Sequence, residues 1–543
     1  MPQQSILIIT GGLYHDFPAM AAFLKELLSR HGFDAHTTED RDALISLPES
    51  HYAAIMVCTQ GGTLTAAQEA GLLKFVKSGR GFVGLHGASA SWKENAGYID
   101  MLGCKFITHG PEVEFDIEPT GVPHSIVRHI PAFQADTELY QLAVNPADFT
   151  TLLHASWQGK LEPVAYIRSY GSGRVFYFSI GHDVGDMQDT TWQTVLLRGL
   201  RWSLGFVERP GLKVGVIGYG GAFNMGRTHL AEMKNAGFIP VAACDIDPAR
   251  AKAAEQEFPE IRGYTSIKEM LAHTDAQLLT VILPHNAHAN AAVEVLNSGR
   301  HCIVEKPMAT SSDEVHAMIA AAANNRLLLS VYHNRRWDGD FMAVEDIIRH
   351  RKLLGDIFKI ETGMSRFASP GSWWRSSKAI SGGLHFDWGA HLIFWALTLM
   401  NSAVESVTAA AHKRLWHHVS NEDHVEACIR FKNGGTIDFE ISTIACAPRP
   451  RWRILGTRGA ILDQWDDTSF QLALHQGGIS SEPQRVKYRT SQGYRYYQNI
   501  ADHLGLDDAL EITAERAGRV IHVLHAIDQA AQSGEAVVVC GEA

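Results

Sequence analysis

Three residues in the second half of the chain have side chains suited to the oxidation of an alcohol. Lys306 lies in the tripeptide Glu305-Lys306-Pro307, and Asp387 and His391 follow further along the chain. An imidazole can take a hydroxyl proton, and a lysine ammonium can stabilise the oxygen anion that then develops. Because Asp387 and His391 have the i,i+4 spacing, they would share one face of a helix. These residues predict the removal of a proton and a hydride from an alcohol.

A glycine-rich loop upstream is the candidate site for a nucleotide that accepts the hydride. In VGVIGYGG, Gly218 and Gly220 follow an apolar strand, where the first allows a tight turn and the second lets the backbone approach a pyrophosphate. Phe223 takes the place of the motif's third glycine, so we expect a long loop and a helix that starts near His229. Asp245 ends the next predicted strand, where a carboxylate would bind ribose hydroxyls and repel a 2′-phosphate. The pattern predicts NAD as the cofactor.

Further candidate contacts come from strand ends and from the segment before His391. The carboxyl ends of strands are where an open α/β sheet binds ligands, and aromatic rings stack on the faces of sugars. Trp373, Trp374 and Arg375 precede the predicted helix of His391, although a buried core role for either tryptophan stays open. The candidate cofactor residues are Gly218, Tyr219, Gly220, Ala222, Phe223, Asn224, Asp245, Pro284, Asn286, His288, Glu305 and Lys306. The candidate substrate residues are His333, Arg335, Trp374, Arg375, Asp387 and His391.

Composition excludes several classes of partner. The chain has 543 residues with a net charge of −11, and it shows no cluster of Lys and Arg that a nucleic acid or an anionic membrane would require. We find no apolar run long enough to span a membrane and no charged leader before the first strand, so we expect a cytoplasmic protein. Seven cysteines without CxxC spacing indicate reduced thiols rather than disulfides or zinc ligands.

The pattern of apolar segments predicts a multidomain α/β protein. Residues 1–208 alternate short apolar runs with amphipathic stretches, as expected for parallel strands and the helices between them. A linker is expected at Gly205 to Leu212, and a Rossmann domain should then occupy residues 212–335. From 336 to 543 the alternation changes to that of an open, mostly antiparallel sheet, which predicts a third, α/β domain.

The run from residue 212 onward resembles the Gfo/Idh/MocA oxidoreductases. The resemblance rests on Gly218-Tyr219-Gly220, Asp245, Pro284 with His288, Glu305-Lys306-Pro307, the stretch from His333 to Arg336, and Gly382-Gly383 followed by Asp387 and His391. It implies a Rossmann domain followed by an α/β domain whose open sheet often mediates dimer or tetramer contacts. It also implies that Lys306 lies near the nicotinamide, that His391 is the acid/base and that Asp387 is its partner and a ligand of a substrate hydroxyl.

Four histidines mark the front domain, namely His15, His86, His109 and His182. Because His15, His86 and His182 each follow a predicted strand, parallel strands would bring them to one edge of the sheet. The segment GRVFYFSIGHD and its neighbours resemble the ThuA-like family of trehalose utilisation, whose fold resembles the class I glutamine amidotransferases. His86 stands where those enzymes carry their nucleophilic cysteine, which makes glutaminase chemistry an unsuitable interpretation.

Three interpretations of these histidines remain open: acid/base or binding work on a sugar, a divalent metal site, and a structural role. The sequence assigns no metal ligand, because the spacing of the four histidines is not diagnostic of a metal.

The leading hypothesis is an NAD-dependent oxidoreductase that converts a secondary hydroxyl of a sugar, glycoside or cyclitol to a ketone, with C3 as the candidate carbon. The expected partner is a small carbohydrate, and a homo-oligomer is expected from the resemblance. Two alternatives stay open: a redox-assisted glycosidase or lyase without net NADH, and a non-catalytic sensor of sugar or nucleotide.

Overall fold

The computed structural model describes residues 3–144, 149–206, 211–221, 223–465, 468–476 and 479–539. The chain divides into two compact units, Met1–Arg209 and Pro210–Ala543. The predicted linker falls partly outside the described residues, at 207–210. No helix among the described residues has both the length and the apolar character needed to cross a membrane.

The front unit is built on a nine-stranded sheet, counted over the described residues. Its strands, with a separate β5–β8 pair, are β1 (Ser5–Gly11), β2 (Asp34–Thr38), β3 (Ala54–Thr59), β4 (Gly81–Leu85), β5 (Cys104–His109), β6 (Val113–Pro119), β7 (Phe133–Thr137), β8 (Tyr140–Val144), β9 (Thr150–Trp157), β10 (Lys160–Tyr170) and β11 (Gly173–Phe178). Its helices are α1 (Phe17–Arg30), α2 (Ala43–Ser46), α3 (Ala66–Lys77), α4 (Ala96–Leu102), α5 (Val184–Met187) and α6 (Thr190–Ser203).

The sheet of the front unit has a parallel part and an antiparallel part. The strand order is β2-β1-β3-β4-β11-β10-β9-β6-β7, parallel as far as β11 and antiparallel beyond it. The sequence predicted only the parallel part. Only two residues, Gly171 and Ser172, separate β10 from β11, and so short a connection allows only an antiparallel pair.

Burial on both faces explains why the parallel strands are continuously apolar. In β1, Ile6 and Ile8 pack into one hydrophobic cluster, whereas Leu7 and Ile9 pack into another. Alternate side chains of a strand point to opposite faces, so both faces of the sheet are covered. The covered faces leave the ends of the strands as the places where a ligand could bind.

The second unit begins with a six-stranded parallel sheet in the order β14-β13-β12-β15-β16-β17. Its strands are β12 (Lys213–Ile217), β13 (Ile239–Cys244), β14 (Arg262–Tyr264), β15 (Leu278–Val281), β16 (His301–Val304) and β17 (Leu329–Val331). Its helices are α7 (Met225–Asn235), α8 (Pro248–Glu257), α9 (Ile267–His273), α10 (His288–Asn297) and α11 (Ser312–Asn325). The order reverses at β12, which is the position where such sheets bind dinucleotides.

The predicted start of the first helix near His229 is wrong, because α7 begins at Met225. Gly226 therefore lies in its first turn. A Cβ on Gly226 would lie 2.7 Å from the carbonyl oxygen of Gly218 and 2.9 Å from Cα of Tyr219. Gly226 thus allows the close approach of helix and loop that the motif's third glycine usually provides.

The rest of the second unit forms a ten-stranded sheet, counted over the described residues and covered by helices. Its strands are β18 (Ile357–Ser365), β19 (Val404–His412), β20 (His424–Phe431), β21 (Thr436–Ser442), β22 (Trp452–Gly456), β23 (Gly459–Asp463), β24 (Ser469–Gln476), β25 (Ile479–Ser480), β26 (Gln484–Lys487) and β27 (Val537–Val538). Its helices are α12 (Gly339–Glu345), α13 (Lys378–Ser381), α14 (Phe386–Met400), α15 (Arg495–Leu506) and α16 (Ala514–Ser533).

This sheet is mostly antiparallel, with β18 and β21 as a parallel pair in its centre. One hydrophobic core continues from β12 through α14 and into this sheet. The protein is therefore a multidomain α/β chain with a Rossmann-type sheet and a sheet-rich C-terminal part. The division of the second unit at residues 335 and 336 remains a prediction.

Candidate active site

The loop after β12 has the backbone shape that a dinucleotide requires. Gly218 has φ +104°, and a Cβ there would lie 2.1 Å from the carbonyl oxygen of Ile282. Gly220 has φ +131°, and a Cβ there would lie 2.7 Å from Cδ of Arg250. Only glycine fits at either position, so the backbone is left bare for a pyrophosphate.

A cleft of about 460 Å³ adjoins this loop, and its lining residues are Tyr219, Gly220, Gly221, Asn224, Arg227, Arg250, Ala253 and Glu257. Asn224 has φ 49° and precedes the first turn of α7. Phe223 is 58% exposed beside the same loop. Ala222, also assigned to the cofactor, lies outside the described residues. The chain therefore offers a cradle that fits a dinucleotide.

Asp245 is held at the end of β13 by two backbone donors. Its Oδ2 accepts a hydrogen bond of 2.9 Å from the N–H of Tyr219, and its Oδ1 accepts one of 2.9 Å from the N–H of Asp247. Nη1 of Arg250 lies 3.9 Å from Oδ2 of Asp245. The position of the Asp245 carboxylate fits the predicted binding of ribose hydroxyls. If this carboxylate were neutralised, the guanidinium of Arg250 would be close enough to bind a 2′-phosphate.

Neutralising Asp245 tests this assignment of cofactor specificity. Asp245→Asn keeps the size of the side chain and removes the charge that repels a 2′-phosphate, so we expect the NAD/NADP ratio of kcat/KM to fall by about 100-fold. The control is Asp275→Asn, because exposed Asp275 precedes β15 at the opposite edge of the sheet, where it pairs with Lys213. An equal change in both variants would show that Asp245 does not select the cofactor.

Lys306 and Asp387 form the centre of the site. Nζ of Lys306 lies 2.6 Å from Oδ1 of Asp387 and 3.4 Å from its backbone oxygen. The side chains retain 17% and 34% of their exposure, so a substrate can reach the pair. Burial alone would raise the pKa of Asp387, but Lys306 and Arg375 hold it at about 2. The carboxylate is therefore ionised, and it fixes the position of the ammonium group.

Glu305 holds the backbone on which Lys306 stands. Its Oε2 accepts a hydrogen bond of 2.8 Å from the N–H of Lys306, and its Oε1 lies 3.2 Å from Nε2 of His229. Nδ1 of His229 lies 2.7 Å from the hydroxyl oxygen of Tyr497. Both oxygens of Glu305 are thus engaged within the protein, which makes it a positioning residue for Lys306.

His391 lies on α14, one turn after Asp387, as the spacing predicted. It is 5% exposed, and its ring is 6.1 Å from that of His333. Burial, Lys306, His333 and Arg335 together lower the pKa of His391 well below its usual value. Its imidazole is therefore neutral at neutral pH and able to accept a proton. The expected pairing of His391 with Asp387 differs from the contacts seen, in which the Asp387 carboxylate pairs with Lys306.

His333 and Arg335 belong to the same neighbourhood. His333 is 2% exposed, and its ring stacks on Phe394 at 4.5 Å. Arg335 lies over the ring of Trp388 at 4.8 Å, and its Nη1 is 2.8 Å from Oδ2 of Asp338. Both residues contact side chains of α14, the helix of His391, and their assignment to the substrate site remains a prediction.

An aromatic group with an arginine at its centre forms one wall of the site. The guanidinium of Arg375 lies 4.8 Å from the ring centres of Phe223 and Trp374, and 5.1 Å from that of Trp373. Trp374 also meets His285 edge-on at 4.9 Å. Because Arg375 helps to depress the pKa of Asp387, this wall lies close enough to the reacting centre to act on it.

His285 is a site residue that the sequence reasoning missed. It is 2% exposed, its Nδ1 lies 2.8 Å from the carbonyl oxygen of Ser381, and its Nε2 is buried without a hydrogen-bond partner in the described residues. Asp387 and Lys306 both act on its charge. Its position directly after Pro284, at the end of a strand, could have identified it from the sequence.

The assignment of His288 to the cofactor requires a correction. His288 is fully buried, with Nδ1 at 2.8 Å from the carbonyl oxygen of Pro307 and Nε2 at 2.7 Å from that of Leu283. Neither nitrogen is left for a ligand, so His288 positions the loop that carries Lys306. The neighbouring Pro284 is partly buried and Asn286 is exposed.

Three buried imidazoles make the stability of the second unit depend on pH. Burial lowers the pKa of His285 and of His333 to about 3, and it also lowers the pKa of His391 well below its usual value. Below pH 6.5 these imidazoles bind protons in the unfolded chain but stay neutral in the folded chain. The free energy of unfolding therefore decreases as the pH falls. We expect a loss of about 1 kcal/mol per imidazole between pH 6.5 and 5.5, measured by urea unfolding.

A comparison of two histidine variants checks this prediction. His333→Asn should reduce the pH dependence by about 1 kcal/mol over that range, whatever it does to stability at pH 7.5. The control His273→Asn replaces an exposed histidine and should leave the pH dependence unchanged. A slope that is the same in wild type and His333→Asn would contradict the prediction.

The front unit brings three of its four candidate histidines together. The ring of His15 is 5.0 Å from that of His86 and 4.6 Å from that of His182. They follow β1, β4 and β11, the parallel strands expected to place them at one edge. His109 is 45% exposed, and its Nδ1 reaches Oε2 of Glu138 at 2.9 Å.

Glu138 is a second residue that sequence reasoning missed. Its Oε1 lies 3.3 Å from Nε2 of His86 and 3.2 Å from Nδ1 of His182, and its side chain is 8% exposed. Burial would raise the pKa of Glu138, but His182 and His86 bring it well below its usual range. Glu138 lies between β7 and β8, in the antiparallel part of the fold, where no motif identified it.

Three family models match consecutive segments of the chain. Residues 5–203 match the model ThuA, described as trehalose utilisation. Residues 212–333 match an oxidoreductase family with an NAD-binding Rossmann fold, and residues 341–462 match the Gfo/Idh/MocA C-terminal domain.

Known proteins match part of this chain. An uncharacterized oxidoreductase of Schizosaccharomyces pombe is 32% identical over 39% of this chain, and another is 28% identical over 41%. These matches span only 58% and 62% of the two yeast proteins. The scyllo-inositol 2-dehydrogenase (NADP(+)) IolW of Bacillus subtilis is 24% identical over 58% of this chain and 92% of its own length.

Solved structures share the fold of the second unit. An NAD-binding protein from Listeria innocua has a TM-score of 0.53 and 27% identity, covering 61% of this chain and 98% of its own. The WlbA dehydrogenase from Bordetella pertussis, solved with NADH and UDP-GlcNAcA, has a TM-score of 0.51 and 22% identity, covering 61% and 99%. The chain therefore joins a ThuA domain to the NAD-binding Rossmann and C-terminal domains of the Gfo/Idh/MocA oxidoreductase family.

Proposed function

We propose that the second unit oxidises a secondary hydroxyl of a sugar, glycoside or cyclitol to a ketone with NAD. The observation that carries the proposal is the 2.6 Å contact of Lys306 Nζ with Asp387 Oδ1, one helical turn from the buried imidazole of His391. The relative IolW acts on an inositol by its name, which is the same class of substrate.

The charge state of each residue determines its role in the proposed oxidation. His391 takes the hydroxyl proton, because its lone pair is free of a proton at neutral pH. Lys306 stabilises the negative charge on the substrate oxygen, and Asp387 holds the ammonium in place. Gly218, Gly220 and Asp245 would hold NAD, which would supply the acceptor for the hydride.

The aromatic wall suits a polyol ring. Trp374 and the guanidinium of Arg375 present a flat face and hydrogen-bond donors to the same space. A ring with several hydroxyls can stack on the indole while it donates to Asp387. This arrangement favours a carbohydrate or cyclitol over a small aliphatic alcohol.

The test incubates the full-length protein and NAD with inositols, aldoses and nitrophenyl glycosides. Absorbance reports both NADH and released nitrophenol. Stoichiometric NADH without nitrophenol supports the proposed dehydrogenase. Release of nitrophenol without net NADH would replace it with a redox-assisted glycosidase or lyase. Sugar binding without either product would replace it with a sensor.

A further inference from the structure

Three imidazoles of the front unit converge as metal ligands do. One nitrogen from each of His15, His86 and His182 lies within 4.8 Å of the nitrogens offered by the other two. Both nitrogens of His15, Nε2 of His86 and Nδ1 of His182 are buried and have no hydrogen-bond partner among the described residues. Buried polar atoms without partners are rare in folded proteins, so such a group of four calls for a ligand.

His86 is held in the orientation that a metal ligand needs. Its Nδ1 lies 2.7 Å from the carbonyl oxygen of Ser179, which fixes the proton on Nδ1 and leaves the lone pair on Nε2. The backbone of His86 has φ 40°, and its carbonyl oxygen accepts a 2.9 Å hydrogen bond from the hydroxyl of Tyr177. A non-glycine residue in this left-handed conformation is sustained only when its surroundings determine it.

Glu138 supplies negative charge beside the three rings. Its Oε1 is 3.3 Å from Nε2 of His86 and 3.2 Å from Nδ1 of His182, although neither contact has the angles of a hydrogen bond. A cation among these atoms would satisfy the two nitrogens and the carboxylate together. His182 keeps 25% of its side-chain exposure, so an ion can enter from solvent.

We propose that the front unit binds one divalent transition-metal ion of the zinc type through His15, His86 and His182, with Glu138 balancing its charge. Imidazole nitrogen prefers zinc, cobalt, nickel or iron, whereas magnesium and calcium prefer oxygen ligands. Three histidines leave a further coordination position for water or for an oxygen atom of a ligand, as in catalytic zinc sites. The spacing along the sequence could not reveal this site, because each ligand comes from a different strand end.

The test uses the full-length protein after treatment with a chelator. Titration with Co²⁺ or Zn²⁺ should give about one ion per chain, whereas Mg²⁺ and Ca²⁺ should not compete. His15→Ala and His182→Ala should each weaken the affinity by more than about tenfold, and Glu138→Gln by about 10- to 100-fold. The control is His51→Ala, which removes an exposed histidine of the same unit and should bind as wild type does.

Two results would overturn the proposal. One is wild-type protein that takes up neither Co²⁺ nor Zn²⁺, since this measurement depends on no variant. The other is equal affinity in His15→Ala, His182→Ala and His51→Ala, which would place the ion elsewhere. The visible spectrum of bound Co²⁺ gives a further readout, because nitrogen ligands with low coordination number produce stronger bands than six oxygen ligands do.

Discussion

Lys306→Met should lower kcat for the responsive alcohol by about 10³-fold while NAD binds with nearly unchanged affinity. The ammonium is the only described cation within hydrogen-bond distance of the Asp387 carboxylate, which it approaches to 2.6 Å. Its removal takes away the charge that stabilises the oxygen anion in the transition state. NAD affinity should persist because the glycine loop and Asp245 are untouched.

Two further variants distinguish the loss of a catalytic charge from the loss of an ion pair. They are a control substitution of another paired lysine and a double variant of Lys306 and Asp387. Lys359→Met breaks a similar contact, 2.5 Å from Nζ to Oδ2 of Asp438, on the C-terminal sheet and should leave kcat unchanged. Adding Asp387→Asn to Lys306→Met removes the uncompensated carboxylate, so it should restore stability but not turnover. Loss of kcat by less than tenfold in Lys306→Met, or recovery in the double variant, would contradict a catalytic role for the lysine.

Part of each of the two sites, one in each unit, could be predicted from the sequence, because several of their residues lie at the ends of parallel strands. Such ends meet at one edge of a sheet whatever their separation along the chain, which is why His15, His86 and His182 were expected together. Lys306 after β16 was placed by the same rule, whereas the pair on α14 was placed by its i,i+4 spacing.

Contacts between side chains could not be predicted in this way. Periodicity places Asp387 on a helical face but does not say that its carboxylate pairs with Lys306 rather than His391. Glu138 comes from the connection between β7 and β8, which belong to two different sheets, and no rule relates its sequence position to the edge where the histidines lie. The start of α7 was misplaced because Gly226 performs from within the helix the packing role that the motif assigns to its third glycine.

His391→Asn should lower kcat by about 10²- to 10⁴-fold, the usual contribution of a general base. The imidazole is nearly fully buried, and burial, Lys306, His333 and Arg335 keep its pKa well below normal. A neutral lone pair is thus available at neutral pH, and wild-type activity should not require deprotonation of His391 between pH 6.5 and 8. In the variant the remaining acceptor is hydroxide, so residual kcat should rise about tenfold per pH unit.

His385→Asn is the control for this variant, because His385 is equally buried and precedes the same helix. Its Nε2 lies 3.0 Å from the carbonyl oxygen of Leu524, so its replacement should affect stability rather than kcat or the pH profile. Asp387→Asn distinguishes the two candidate bases, since Lys306 already occupies the Asp387 carboxylate and leaves it poorly placed to take a proton. The opposite result would be a His391→Asn variant with the turnover and pH profile of the wild type, together with an Asp387→Asn variant that lacks turnover. In that case the base would be Asp387, and His391 would only shape the pocket around it.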